Sequence, residues 1–218
     1  MSVDECVECD AAIAGKPAPT WIAVCEHSQQ CPHRRRRFFV GRDHQGKLDN
    51  STKQTVSGEN FLTIKPKGYV AALQLANGDV LTEGPAILQY LADLRPEANL
   101  APANGVFERV RLQEWLNFVS TEIHGGLGWL FNSQFPGDVK ALIKEKLFKR
   151  FVVLSQTLEG QDYLLAGGFS IADAYLFTVL RWARLFAIDL DDWPALARFQ
   201  ARVDQRPSVK AALAAELV

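Results

Sequence analysis

The chain has 218 residues, 48% of them hydrophobic and 22% charged, with a formal net charge of -1. That near-neutral balance offers no global field to nucleic acid or an anionic membrane, no apolar run approaches the ~20 residues that span a bilayer, and four cysteines are too few for a disulfide scaffold. The first ten residues, MSVDECVECD, are acidic and lack the basic-then-apolar order of a secretory signal. The expectation is a cytoplasmic protein with reduced thiols.

Taken in chain order, the first unusual stretch is Cys25 to Lys47, CEHSQQCPHRRRRFFVGRDHQGK, which holds two of the four cysteines, three of the four histidines and five arginines. Beyond it, residues 61–95 mix short apolar runs with turns. GYVAALQL reads as a strand, ANGD carries the Asn-Gly signal of a tight hairpin, and VLTE reads as a second strand. EGPAILQYLADL follows with Ile87, Leu88, Leu91 and Leu94 at helical spacing and Pro85 in the first turn. RPEANLAPANG is a linker. Everything after it has helical periodicity: VFERVRLQEWLNFVSTEIH, KALIKEKLFKRFVVLSQTLE, SIADAYLFTVLRWARLF and PALARFQARVDQRPSVKAAL. The third of these is apolar almost all round, as a buried central helix must be. Ser170 and Asp173 at its start have capping-box spacing. The organisation is a small α+β domain over residues 1–95, a linker over 96–105 and an all-helical bundle domain over 106–218.

The stretch YVAALQLANGDVLTEGPAI carries the clearest chemistry. A helix entered at Glu83-Gly84-Pro85 presents free N–H groups and the positive end of its dipole, which suit a carboxylate. Gly84 lets a ligand approach the backbone, and Glu83 either caps the helix or receives an ammonium group. A carboxylate and an ammonium together describe an amino-acid-like end.

KPKGYVAALQLANGDVLTEGPAILQYLAD, EWLNFVSTEIH and FSIADAYLFTVLRWA together resemble the bacterial beta-class glutathione transferases, over about residues 49–218. The resemblance implies a thioredoxin-like N-terminal domain, incomplete or scrambled in residues 1–48, followed by the helical domain, in a homodimer. It implies glutathione as co-substrate, no metal, and conjugation of its thiolate to hydrophobic electrophiles. Carried over residue by residue, it implies that Glu83 and Gly84 hold the γ-glutamyl end, Val70 pairs its backbone with the cysteinyl unit, and Lys53 faces the glycyl carboxylate. Asn117, Thr121, Glu122, Ile123 and His124 would line the site from the helical domain, His124 being the candidate catalytic residue among them. Asn117 and His124 are seven residues apart, which on a regular helix places them on one face; without the resemblance His124 reads as a surface histidine. Two positions depart from the family: Ala71 stands where it has a cis-proline, and Gly125 where it often has lysine.

The family's functional cysteine at a helix start has no local counterpart in residues 1–48. Cys25 is the candidate catalytic thiol and Cys31 its alternative, which would make the chain a thiol–disulfide oxidoreductase; a non-catalytic binding module of the same fold is the other rival. Cys6, Cys9, Cys25, Cys31 and His33 have enough donors for zinc but not its compact spacing, and Arg34 to Arg37 could grip phosphates but sit in a chain without a basic face. Shifting the degenerate codons of His33 to Lys47 by one base permits an apolar helix end followed by a β-branched strand, as the family has there. Residues 20–48, or all of 1–48, therefore read as out-of-frame translation, with 20–48 expected to be loop or poorly packed and its arginines in solvent.

Overall fold

The computed structural model describes the backbone of Arg37–Phe39 and residues 52–216, apart from 55–57, 59 and 76. By contacts the chain divides into two compact units, one comprising Met1–Leu91 with Pro207–Val218, the other Ala92–Arg206.

The first unit contains a three-stranded antiparallel sheet in the order β1 (Arg37–Phe39), β2 (Ala72–Gln74), β3 (Val80–Thr82). β1 sets Phe38 opposite Leu73 and β2 sets Leu73 opposite Leu81. Arg37–Phe39 form a strand, not loop, while the alternative of poor packing there lies outside the described residues. Pairing runs through backbone N–H and C=O groups, which arginine and phenylalanine carry like any other residue, so the edge of β2 can recruit them. The remainder of the reading of residues 20–48, and the readings that rest on Cys6, Cys9, Cys25, Cys31 and His33, lie outside the described residues.

Between β2 and β3 the chain turns as ANGD predicts. Leu75 and Asp79 close the turn through a 2.8 Å backbone bond, and Gly78 takes a φ of 94°, a region that favours glycine. The Asn77 side-chain oxygen Oδ1 accepts from the Asp79 N–H at 3.1 Å. A short helix α1 (Phe61–Ile64) precedes β2, capped by Asn60, whose side chain accepts from the Leu62 N–H. Phe61 and Ala72 form a small core with Ile64, Val70 and Val80 packed against it. Helix α2 (Gly84–Asp93) follows β3 directly and buries Ile87, Leu88 and Ala92, three of its apolar positions at helical spacing. Helix α8 (Pro207–Glu216) closes the chain.

The second unit is helical. The turn Pro96–Ala98 leads to α3 (Phe107–Phe118), a π-helical segment Val119–His124 and α4 (Gly125–Leu130), which run on as one bent rod. α5 (Gly137–Glu159), α6 (Ile171–Leu180) and α7 (Pro194–Asp204) complete it. All ten residues of α6 are buried, as its almost wholly apolar sequence predicts. It packs against α3, the π segment and α7.

Two polar devices fix this bundle. Asp173 is fully buried; its carboxylate accepts from the Leu164 N–H, the Ser170 N–H and the Ser170 hydroxyl at 2.8, 2.8 and 2.7 Å. The box read from sequence is therefore extended, tying the preceding loop to the helix start as well as capping it. Arg109, also buried, forms a two-pronged bond with Asp93 at 2.8 and 2.9 Å and donates to the Pro102 carbonyl at 3.0 Å. With the 2.9 Å bond from the Ile171 N–H to the Leu100 carbonyl, this binds the proline-rich connection to the bundle.

Candidate functional site

In the first unit the named residues gather around the loop that precedes β2. Residues 65–68 form a turn closed by the Gly68 N–H on the Lys65 carbonyl at 2.9 Å. Val70 is half-buried against Phe61 and Ala72. The Val70–Ala71 peptide is cis, the geometry of the family's X-Pro bond at this place.

Three ammonium groups brace this loop. Lys53 donates to the Gly68 carbonyl at 3.0 Å, Lys65 to the Ala71 carbonyl at 3.2 Å, and Lys67 pairs with Glu83 at 3.4 Å. Lys53 takes a positive φ of 57°, and its carbonyl accepts from the Phe61 N–H. It thus lies against the turn, with N–H bonds of its ammonium beyond the one used on Gly68.

Glu83 also has a positive φ, 71°, and its carbonyl accepts from the Ala86 and Ile87 N–H groups, both at 3.0 Å. The backbone of Glu83 therefore caps α2 while its carboxylate stays exposed, paired only through a solvated ion pair of small energy. Gly84 opens the helix, and a Cβ built there meets nothing within 4 Å. Among the described residues, nothing stands within contact distance of that position.

In the second unit the named residues fall on the bent rod. Asn117 and Thr121 are exposed, the Thr121 hydroxyl donating to the Asn117 carbonyl at 3.0 Å. Glu122 accepts from Arg150 at 2.6 Å, with Lys146 at 3.8 Å. The Arg150 hydrogen bond, opposed by burial, holds its carboxyl below the usual range. Ile123 is fully buried, so its backbone is what it can offer a ligand.

His124 is half-buried; its Nδ1 lies 2.6 Å from the Tyr175 hydroxyl and its ring stands edge-on to Trp182 at 4.9 Å. Burial pulls the imidazole below its ordinary value of 6.5, so it is neutral near pH 7. The seven-residue spacing does not put Asn117 and His124 on one face. A π turn bonds i to i+5 and takes about one residue more than an α turn, as in the Gly125 N–H on the Ser120 carbonyl. His124 is thereby rotated toward α6, while Asn117 stays on the exposed side.

Cys25 lies outside the described residues. The sequence reading missed Lys65, which looks like any surface lysine in KPKG, and Tyr175, one of few polar-tipped side chains on an otherwise apolar helix.

Residues 120–207 match the family model for the glutathione S-transferase C-terminal domain. A glutathione S-transferase GstA of Escherichia coli O157:H7 is 40% identical over 170 residues, spanning 78% of this chain and 84% of that protein. The chain belongs to the glutathione S-transferase family. Among solved structures, the ternary complex of BphK, a bacterial glutathione transferase, is 47% identical, covers 78% of this chain and 86% of that one, and superposes with a TM-score of 0.76. A sphingomonad glutathione S-transferase complexed with glutathione is 40% identical over 78% of this chain and 85% of that one, also with a TM-score of 0.76. The family assignment makes the protein a transferase and the three-stranded sheet of the described residues part of its thioredoxin-like fold. Among the described residues of this glutathione transferase, no helix is long and apolar enough to cross a membrane.

Proposed function

We propose that the chain binds glutathione as co-substrate and conjugates its thiolate to an electrophilic carbon on a hydrophobic molecule, as a cytoplasmic homodimer that uses no metal. The carbon–sulfur bond forms as the bond to the leaving group breaks, and the leaving group departs with the electron pair. Ionising the thiol releases its proton to solvent.

The observation that carries this reading is the arrangement around Glu83: an exposed carboxylate beside the helix start at Gly84, where a built Cβ meets none of the described residues within 4 Å. The carboxylate would take the γ-glutamyl ammonium and the helix N–H groups its carboxylate. The Val70 backbone would pair with the cysteinyl unit in the manner of an added strand. Lys53 would meet the glycyl carboxylate with an N–H not used on Gly68. For Asn117, Thr121, Glu122, Ile123 and His124 of the helical unit, a part in glutathione binding rests on the family resemblance, in which His124 would act as a neutral imidazole and not as a fixed positive charge. The homologues resolved with glutathione support the choice of tripeptide.

The test is retention on immobilised glutathione together with turnover of a chlorodinitrobenzene. Expected are elution by free glutathione and formation of the coloured thioether with release of chloride. Retention without turnover favours a binding module. Turnover of a disulfide substrate that disappears in Cys25→Ser or Cys31→Ser favours the thiol–disulfide reading.

A further inference from the structure

Lys65 is 4% exposed, an uncommon place for a lysine, since a buried ammonium is costly unless bonded. Its Nζ bonds the Ala71 carbonyl at 3.2 Å. Its own N–H closes α1 on the Phe61 carbonyl at 2.8 Å, and its carbonyl closes the turn to Gly68 at 2.9 Å. One residue therefore ties the end of α1, the turn and the first residue before β2. Val70 lies inside the segment so enclosed, and its side chain packs on Phe61 and Ala72.

A simple core role does not require an ammonium here. An apolar side chain of similar volume would fill the space without the desolvation cost. What the ammonium adds is a donor for a buried carbonyl one residue beyond Val70, and a positive charge within reach of Glu83. Burial pulls Lys65 below the usual lysine range, the Glu83 charge opposes this, and Lys67 adds to it. Lys65 and Glu83 are thus electrostatically linked, while Lys53 bonds the Gly68 carbonyl and Lys67 pairs with the same Glu83.

We infer that Lys65 is a positioning residue for glutathione: its buried ammonium, bonded to the Ala71 carbonyl, fixes the course of the Val70 backbone against which the cysteinyl unit pairs. This rests on the glutathione reading of Val70 and Glu83. Lys65 itself touches no substrate.

The experiment uses the full chain with Lys65→Met, Lys65→Gln and Lys65→Arg, measuring KM for glutathione and kcat with a chlorodinitrobenzene, and affinity for S-methylglutathione by calorimetry. Methionine fills the space without a donor, glutamine is too short to reach, and arginine keeps both charge and donor. Expected for Met and Gln is a KM for glutathione raised about ten-fold, the effect of one lost orienting bond, with affinity for S-methylglutathione reduced in step and kcat within about two-fold of wild type. Arg should restore KM to within about three-fold. If Met does not fold, Gln and Arg decide between the same outcomes. An unchanged KM in the folded donor-less variants, or a fall in kcat at constant KM, overturns the inference, as does an Arg variant as impaired as Gln. A wild-type chain that fails to bind S-methylglutathione would instead overturn the glutathione reading itself.

Discussion

The hydroxyl of Tyr175, on the central buried helix, lies 2.6 Å from Nδ1 of His124, so the ring that the family resemblance places in the active site is held from behind by the core. The same imidazole stands edge-on to both Tyr175 and Trp182. Its orientation is set by packing, and the π turn at Val119–His124 is what delivers it there.

His124 should therefore titrate below its ordinary value of 6.5, because burial disfavours the imidazolium. For a base with a depressed folded-state pKa, the stability contribution is present above the unfolded value and is lost as pH falls through the folded one. Nuclear magnetic resonance of the His124 ring protons should give an inflection below 6.5, and Tyr175→Phe should lower the unfolding free energy by about 1 kcal/mol through loss of the bond. An inflection at or above the ordinary value contradicts the packing described.

Asp173 behaves in the opposite sense. Burial pushes its carboxyl up from 3.8 to about 6, against the lowering pull of the Leu164 and Ser170 hydrogen bonds. The folded state then binds this proton more readily than the unfolded state. The group's contribution to stability is full below about 3.8 and is lost as pH rises through about 6. The difference in unfolding free energy between wild type and Asp173→Asn should shift against wild type by about 2 kcal/mol between pH ~4.5 and pH ~7.5. A difference that is flat, or that grows in favour of wild type, contradicts the sign. Asp173→Ala should destabilise the helical unit by about 3 kcal/mol near neutral pH, because it strips buried N–H groups of their acceptor.

Gly84 bears on binding more than on stability. A Cβ there meets nothing within 4 Å, and the resemblance that places glycine or serine at this position gives serine's hydroxyl a carboxylate to bond. Gly84→Ser should tighten glutathione binding by about three- to ten-fold, the range of one modest hydrogen bond, with the unfolding midpoint unchanged. Weaker binding by calorimetry would mean that the ligand's carboxylate does not sit at this helix start.

Much of the architecture could be read from local chemistry. The β2–β3 hairpin followed from Asn77-Gly78, the entry to α2 from Gly84-Pro85, and the burial of α6 from an almost wholly apolar run opened by Ser170 and Asp173. Each is a short-range signal whose physical cause lies within a few residues. The π turn was not legible, since one extra residue in a single turn leaves the apolar spacing of α3 intact until the phase has already slipped. The burial of Lys65 was not legible either, because it depends on a carbonyl six residues away that only the folded loop brings near. The pairing of Arg37–Phe39 with β2 is likewise a long-range event, chosen by an available sheet edge and not by side-chain pattern. The site residues of the first unit came from the family resemblance; spacing alone favoured reading Glu83 as a helix cap, and its backbone does serve as one.

The most direct test of glutathione binding at Glu83 and Gly84 is calorimetric titration of glutathione into the full chain and into Glu83→Gln. Expected is one saturable site per chain in the wild type, with affinity reduced about ten- to a hundred-fold in the variant, as for loss of a charge-assisted bond to the γ-glutamyl ammonium. Saturable binding of equal strength in both proteins, or no binding heat in the wild type, would contradict it.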